Sequence, residues 1–190
     1  MGRDKALLPW PTANSTSTLL SCHVAALAPF ARAVVVVSGA NVSALEPAIS
    51  ACGAIMARNP MPERGQFSSI QVGLQCALSL GCSSAMITPV DCPPVTHQNL
   101  ELLAQSFDEA IAKGLWAVAP HANGRNGHPL FVGPAMINAF LAAPPQANAR
   151  QIRQAHAERF AAVPLPGAGF GADMNTPAQY AAIISRATGS

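Results

Sequence analysis

The feature that most constrains this chain is the alternation of short, unbroken apolar runs with longer stretches of helical periodicity. Residues 33–37, Ala-Val-Val-Val-Val, form a β-branched run with no polar alternation. Such a run suits a strand covered on both faces. Similar runs recur at 54–57, 85–88, 115–119, 129–132 and 160–163. Between them, apolar residues return at helical spacing. Residues 15–30 carry Leu19, Leu20, Val24 and Leu27 behind a Ser/Thr-rich start that can cap a helix. Residues 42–52, 67–80, 97–113, 148–158 and 177–186 also read as helices, and Gly114 is placed to end the third of these. The pattern predicts an α/β fold: a mostly parallel sheet with helices on both faces. Ligands of such sheets bind outside the carboxyl ends of the strands. Side chains just after a strand therefore carry the most functional weight.

Composition narrows the classes. The 190 residues suit one domain, 1–190, and no internal repeat is visible. Half the residues are hydrophobic and 11% are charged, which supplies a core and argues against disorder. The net charge is +2, and only Lys5 and Lys113 are lysines. A basic stripe for nucleic acid is not expected. No apolar stretch is long enough to span a bilayer, and no signal-peptide core is legible. Ala6 stands where a myristoylation motif needs Ser or Thr. The five cysteines form no Cys-x-x-Cys pair, which fits reduced thiols in the cytoplasm rather than disulfides or a zinc site.

Few residues stand where chemistry is expected. Asp91 follows the 85–88 run, among apolar and proline residues, in Pro89-Val-Asp-Cys-Pro-Pro94. A carboxylate at a strand end is a candidate ligand for a hard cation such as Mg²⁺; the competing reading is a turn residue before Pro93. Asp173 and Asn175 lie two apart before a helix start marked by Pro177. In an extended segment both would face the same way and could share one ion; alternatively Asn175 or Thr176 simply caps the helix. Lys5, with Arg3 nearby, suits a phosphate as a point charge, or is only a solvated terminal residue. Ser68 and Ser69 open a helix after Gly65, a place for an anion site or an ordinary cap. His128, held extended before Pro129, projects into a cleft or stays on the surface. No Ser-His-Asp or Cys-His arrangement is legible. His23, His97, His121 and His156 read as structural or exposed, with His97 serving its helix start.

Taken together, these segments resemble the molybdenum-cofactor nucleotidyltransferases, closest to the molybdopterin cytidylyltransferase branch. Met1-Gly-x-Asp-Lys-x-Leu-Leu-Pro9 is similar to the second half of that family's opening signature. Gly65-x-x-Ser-Ser-Ile-x-x-Gly-Leu74 resembles its middle motif, and Pro89-Val-Asp-Cys-Pro93 its metal-binding Asp motif. Gly127-His-Pro129, Asn148-Ala-Arg150 and Asp173-Met-Asn-Thr-Pro-Ala-Gln-Tyr180 resemble later landmarks in the same order.

The resemblance implies a Rossmann-like, GT-A-like domain. It implies Mg²⁺-dependent transfer of CMP from CTP, or GMP from GTP, to a molybdopterin-type phosphate with release of pyrophosphate. Asp91 would hold the metal, completed by Asp173 or Asn175. Lys5 and Arg3 would contact phosphates, Ser68 and Ser69 would lie near the nucleotide, and His128 near the pterin. A client molybdoenzyme is the implied partner. Two departures accompany it. Asn175 stands where the family has a second carboxylate. The family's central first strand and its glycine-rich loop precede the point at which this sequence starts, so that strand is expected to be missing. A binding-only protein of molybdoenzyme maturation, and a related transferase with GTP or another phosphate acceptor, remain alternatives.

Overall fold

The computed structural model describes residues 4–11, 17–144, 146–165 and 174–187. Its strands are β1 (Val35–Ser38), β2 (Ile55–Arg58), β3 (Ala85–Ile87), β4 (Ala117–Ala122), β5 (Arg125–Asn126), β6 (Leu130–Val132) and β7 (Phe160–Pro164). Its helices are α1 (Leu19–Leu27), α2 (Val42–Ala51), α3 (Gln66–Ser79), α4 (His97–Ala112), α5 (Pro134–Ala142), α6 (Ala149–Ala155) and α7 (Pro177–Ala187). Each predicted strand and helix is present, with ends shifted by a few residues. The helix read from residue 15 begins at Leu19, because Thr18 and Ser21 form a reciprocal cap there. Gly114 ends α4 with a φ of 77°, a left-handed conformation that suits glycine. The sequence reading missed α5. Its Pro134 sits at the first turn, and Met136, Ile137 and Phe140 are buried.

The strands form two sheets. β1 and β2 pair in parallel, Val35 opposite Ile55. The larger sheet has the order β3-β6-β4-β5, with β7 beside β4. β6 is antiparallel to both β3 and β4, and β7 is parallel to β4. Thus β3, β4 and β7 run one way and β6 runs against them. The reversal starts in a hairpin. Asn123 and Gly124, with φ of 51° and 73°, form the two-residue loop between the partners Ala122↔Arg125. Two positive φ values at an Asn-Gly pair fit a type I′ turn, which can only join antiparallel strands.

Period-two geometry divides β4 between two cores. Ala117 and Ala119 face Phe67, Leu74, Met136, Ile137 and Phe140; Val118 faces Leu100, Leu103 and Phe131. On the first side, α3 reaches across to the smaller sheet. Its Ile70 packs in the same core as Ala85 and Ile87 of β3, while a Cβ on its Gly73 would stand 3.0 Å from Val37 of β1. On another face, Leu20, Val24, Leu45 and Ile49 cover Val34 and Val36 together with Val90, which follows β3. The two sheets therefore share their covering helices, yet among the described residues no strand bonds to both β1 and β3. No helix among the described residues is long and apolar enough to cross a membrane.

Candidate active site

The first described residues form a single 3-10 turn, Lys5–Leu7. Asp4 fixes it: one carboxylate oxygen accepts from the Ala6 N–H at 3.0 Å, and the other accepts from the Asn41 amide at the start of α2. Ala6 is buried against α1 and α2. The turn is thus pinned at both ends, and the Lys5 side chain projects from it.

The Lys5 ammonium donates to Asp91 Oδ2 at 2.9 Å and to Asn175 Oδ1 at 2.7 Å. These partners come from positions 86 and 170 residues away in sequence. Both acceptors are held by backbone. The Met174 N–H donates to the Asp91 carbonyl at 3.0 Å, and Met174 itself is fully buried with Leu19 and Ile183. The Asn175 and Thr176 N–H groups both donate to Gln179 Oε1, and Thr176 Oγ1 accepts from the Gln179 N–H. Thr176 is therefore the side chain that caps α7. The cap expected from Asn175 or Thr176 is thus made by Thr176, and the Asn175 side-chain carbonyl faces Lys5.

A further grip on Asp91 comes from α1. His23 is 6% exposed, and its Nε2–H donates to the Cys92 carbonyl at 2.9 Å. Burial pushes the His23 pKa below its ordinary value; the Cys92 and Val90 backbone and the Asp91 charge oppose the shift. A carbonyl oxygen only accepts, so Nε2 carries the proton of this bond. The sequence reading left His23 among structural histidines, and its periodic position on an apolar helix face carried no hint of this contact.

The serines stand at the end of β2. Asn59, 2% exposed, donates one amide proton to Ser68 Oγ at 2.8 Å and another to Ser69 Oγ at 3.0 Å. Its own Oδ1 accepts from the Met61 N–H at 2.9 Å. The Ser68 hydroxyl reaches the Gly65 carbonyl at 2.8 Å, where Gly65 has a φ of 88°. Asn59 was missed in the sequence, although it directly follows a strand, where the strand-end rule points. His128 Nδ1 lies 3.3 Å from the Ile87 carbonyl at the end of β3. His97 starts α4 and faces Glu101 at 3.2 Å on the surface, as its helix-start reading anticipates. Arg3 and Asp173 lie outside the described residues.

Asp91, Asn175 and Lys5 are the predicted residues that the fold brings into contact. Among the described residues, no group of three or more His, Cys, Asp or Glu is arranged to hold a metal. The cluster instead offers one carboxylate and one amide oxygen, already shared by a cation, the Lys5 ammonium. That donor set fits Mg²⁺, which takes one or two carboxylates and completes its shell with phosphate oxygens and water.

Comparisons with known proteins identify the family and the fold. The family model for the MobA-like NTP transferase domain matches residues 1–160. Among curated proteins, none matches the chain in sequence. The solved structure of Rv0371c from Mycobacterium tuberculosis H37Rv superposes with a TM-score of 0.74 at 14% identity, covering 97% of this chain and 91% of that one. A second Rv0371c structure, in complex with manganese, gives 0.68 at 17% identity over 97% and 93%. A cytidylyltransferase from Leptospira borgpetersenii gives 0.71 at 16% over 95% and 78%. Molybdopterin-guanine dinucleotide biosynthesis protein A from Archaeoglobus fulgidus gives 0.65 at 17% over 98% and 92%.

Proposed function

Because the chain belongs to the MobA-like NTP transferase domain family and is a nucleotidyltransferase of the MobA/cytidylyltransferase type, we propose that it transfers CMP from CTP to a molybdopterin-type phosphate. The observation that carries this reading is the convergence of Lys5, Asp91 and Asn175 beyond the carboxyl end of β3. A phosphate oxygen of the acceptor attacks the α-phosphorus of CTP. A new P–O bond forms, the bond to the bridging oxygen breaks, and pyrophosphate leaves. Such a displacement needs positioning and charge neutralisation rather than a protein nucleophile.

Each residue then has a task. Asp91 and Asn175 would hold Mg²⁺, with Asp173 as a further candidate ligand. Bound there, the metal would neutralise phosphate charge as a Lewis acid. A manganese-bound relative of the same fold supports a divalent ion in this family. Lys5 and Arg3 carry positive charge to the phosphates of the leaving group. Ser68 and Ser69, oriented by Asn59 at the start of α3, lie on the nucleotide side, where helix N–H groups favour anions. His128 serves the acceptor side. A molybdoenzyme that receives the product is the proposed client, and the cytoplasm the proposed compartment.

Calorimetry with CTP and with GTP, each with and without Mg²⁺, tests the nucleotide and the metal together. Tight, metal-dependent CTP binding and formation of a cytidylylated pterin are expected. Asp91→Ala should lower turnover by about a hundredfold or more while leaving the circular dichroism unchanged. Unaltered turnover removes the metal assignment. The presence of one carboxylate in the described cluster favours a second reading, a binding-only maturation protein. Under that reading CTP would bind equally well without metal, and no pyrophosphate would be released.

A further inference from the structure

Lys5 lies between the two oxygens that the proposed function gives to the metal. Its Nζ is 2.9 Å from Asp91 Oδ2 and 2.7 Å from Asn175 Oδ1. An ammonium is a compact cation with donors and no acceptor. It meets the same two oxygens that a hydrated divalent ion would meet. A free divalent ion entering the cluster therefore competes with a cation already in place.

The two sides of this contact differ in how firmly they are held. Asp91 is fixed through the Met174 N–H and the His23–Cys92 bond, and Asn175 through Gln179. Lys5 is fixed only at its backbone, by the Asp4 cap and the burial of Ala6. Its four-carbon stem is 30% exposed and can swing without moving the turn. The Asp4 carboxylate is engaged in holding the turn, its two oxygens accepting from Ala6 and Asn41. The displaced charge needs a new anionic partner, and a triphosphate supplies one.

We propose that Lys5 is a specificity-determining residue: its ammonium occupies the cation position of the free protein, so that the site selects a preformed divalent cation–nucleoside triphosphate complex over the free cation. When the complex arrives, the metal takes the Asp91 and Asn175 oxygens, and Lys5 passes to phosphate oxygens. Metal and nucleotide then bind with positive coupling, and neither is held well alone. This inference rests on the metal role given to Asp91 and Asn175 above.

Manganese titration followed by electron paramagnetic resonance reads the free cation directly, without turnover. Lys5→Met keeps the stem and removes the charge; Lys5→Gln also keeps a hydrogen-bond donor. Both should bind free Mn²⁺ about tenfold or more tightly than the parent protein, because a like charge a few ångströms away is gone. Both should bind Mn²⁺–CTP about tenfold or more weakly, for want of the phosphate contact. The opposite signs exclude a simple loss of folding, which would weaken both. Unchanged or weaker free Mn²⁺ binding in both variants, with Asp91→Asn still abolishing it, overturns the inference and leaves the metal assignment standing. If Asp91→Asn binds Mn²⁺ as the parent does, the metal assignment itself fails and the inference with it. Tighter Mn²⁺ binding in both variants, with Mn²⁺–CTP and Mn²⁺–GTP ignored by every form, overturns the selection of a cation–nucleotide complex and the nucleotide reading with it, while the metal assignment stands.

Discussion

The two sheets of this protein are made of similarly apolar sequence, yet they are buried very differently. In β4, Ala117, Val118 and Ala119 are fully buried, and all of β6 is buried. In β1, Val35, Val36 and Val37 are only partly buried, and Ile55 of β2 is 38% exposed. The difference lies in neighbours. β4 has β6 on one edge and β7 on the other, whereas β1 bonds only to β2 among the described residues. Apolarity decides that a strand forms, but pairing and covering layers decide how much water it loses. The smaller sheet also holds a buried side-chain atom with no hydrogen-bond partner among the described residues, Ser38 Oγ at the carboxyl end of β1. The candidate cluster sits beside this less buried sheet, with Asp91 following β3 of the larger sheet and the Lys5 turn packed on the helices that cover β1.

The contrast can be broken by core truncation. Phe140→Ala, in the fully buried core of the larger sheet, should cost about 3–5 kcal/mol in urea unfolding. Val36→Ala in β1 should cost about 1 kcal/mol, since its side chain is only partly removed from water. Equal costs would show that the two halves are equally packed. At the junction, His23→Leu should lose about 1–3 kcal/mol by removing the Nε2–H bond to the Cys92 carbonyl. His23→Gln, which can present a donor near Nε2, should recover much of that loss and of the metal-dependent nucleotide affinity. Leucine and glutamine behaving alike would show that the bond to Cys92 does not position Asp91.

The same histidine sharpens the comparison by pH. Burial lowers its folded pKa below its unfolded value of about 6.5, so the unfolded chain binds its proton first. Its contribution to stability is full above that value and shrinks as pH falls through it toward the folded pKa. Unfolding midpoints measured from pH 7.5 down to about 5 should fall in the parent protein, with the His23 share of that fall absent in His23→Gln. The smallest effect is expected at Ser38. Ser38→Ala removes a buried hydroxyl that has no partner among the described residues and should change stability by less than about 1 kcal/mol, in the stabilising direction. A marked loss would reveal a partner for that hydroxyl in solution.

Much of this was legible beforehand, because it depends on local pattern. Unbroken apolar runs and three-four periodicity located most strands and most helices. The strand-end rule singled out Asp91, which the fold then places against Lys5 and Asn175. The reversed β6 was not legible, since its direction follows from the positive φ of Asn123 and Gly124 rather than from the apolar run that forms it. Asn59 and His23 were not selected either. Both act by binding backbone or hydroxyl groups of other segments, and such contacts leave no periodic trace.

By itself, then, the sequence determined the alternation of most strands and helices, the α/β class and the kind of charge expected at the strand ends. Those properties arise from side-chain period and from backbone preferences within a few residues. Only the tertiary structure decided that Lys5 spans Asp91 and Asn175, that Thr176 rather than Asn175 caps α7, and that His23 holds the Asp91 loop. Those outcomes depend on which distant groups are brought within about 3 Å and which are dried by burial. Hydrogen bonds and charges act at that range, and the folded packing of α1, β3 and α7 sets it.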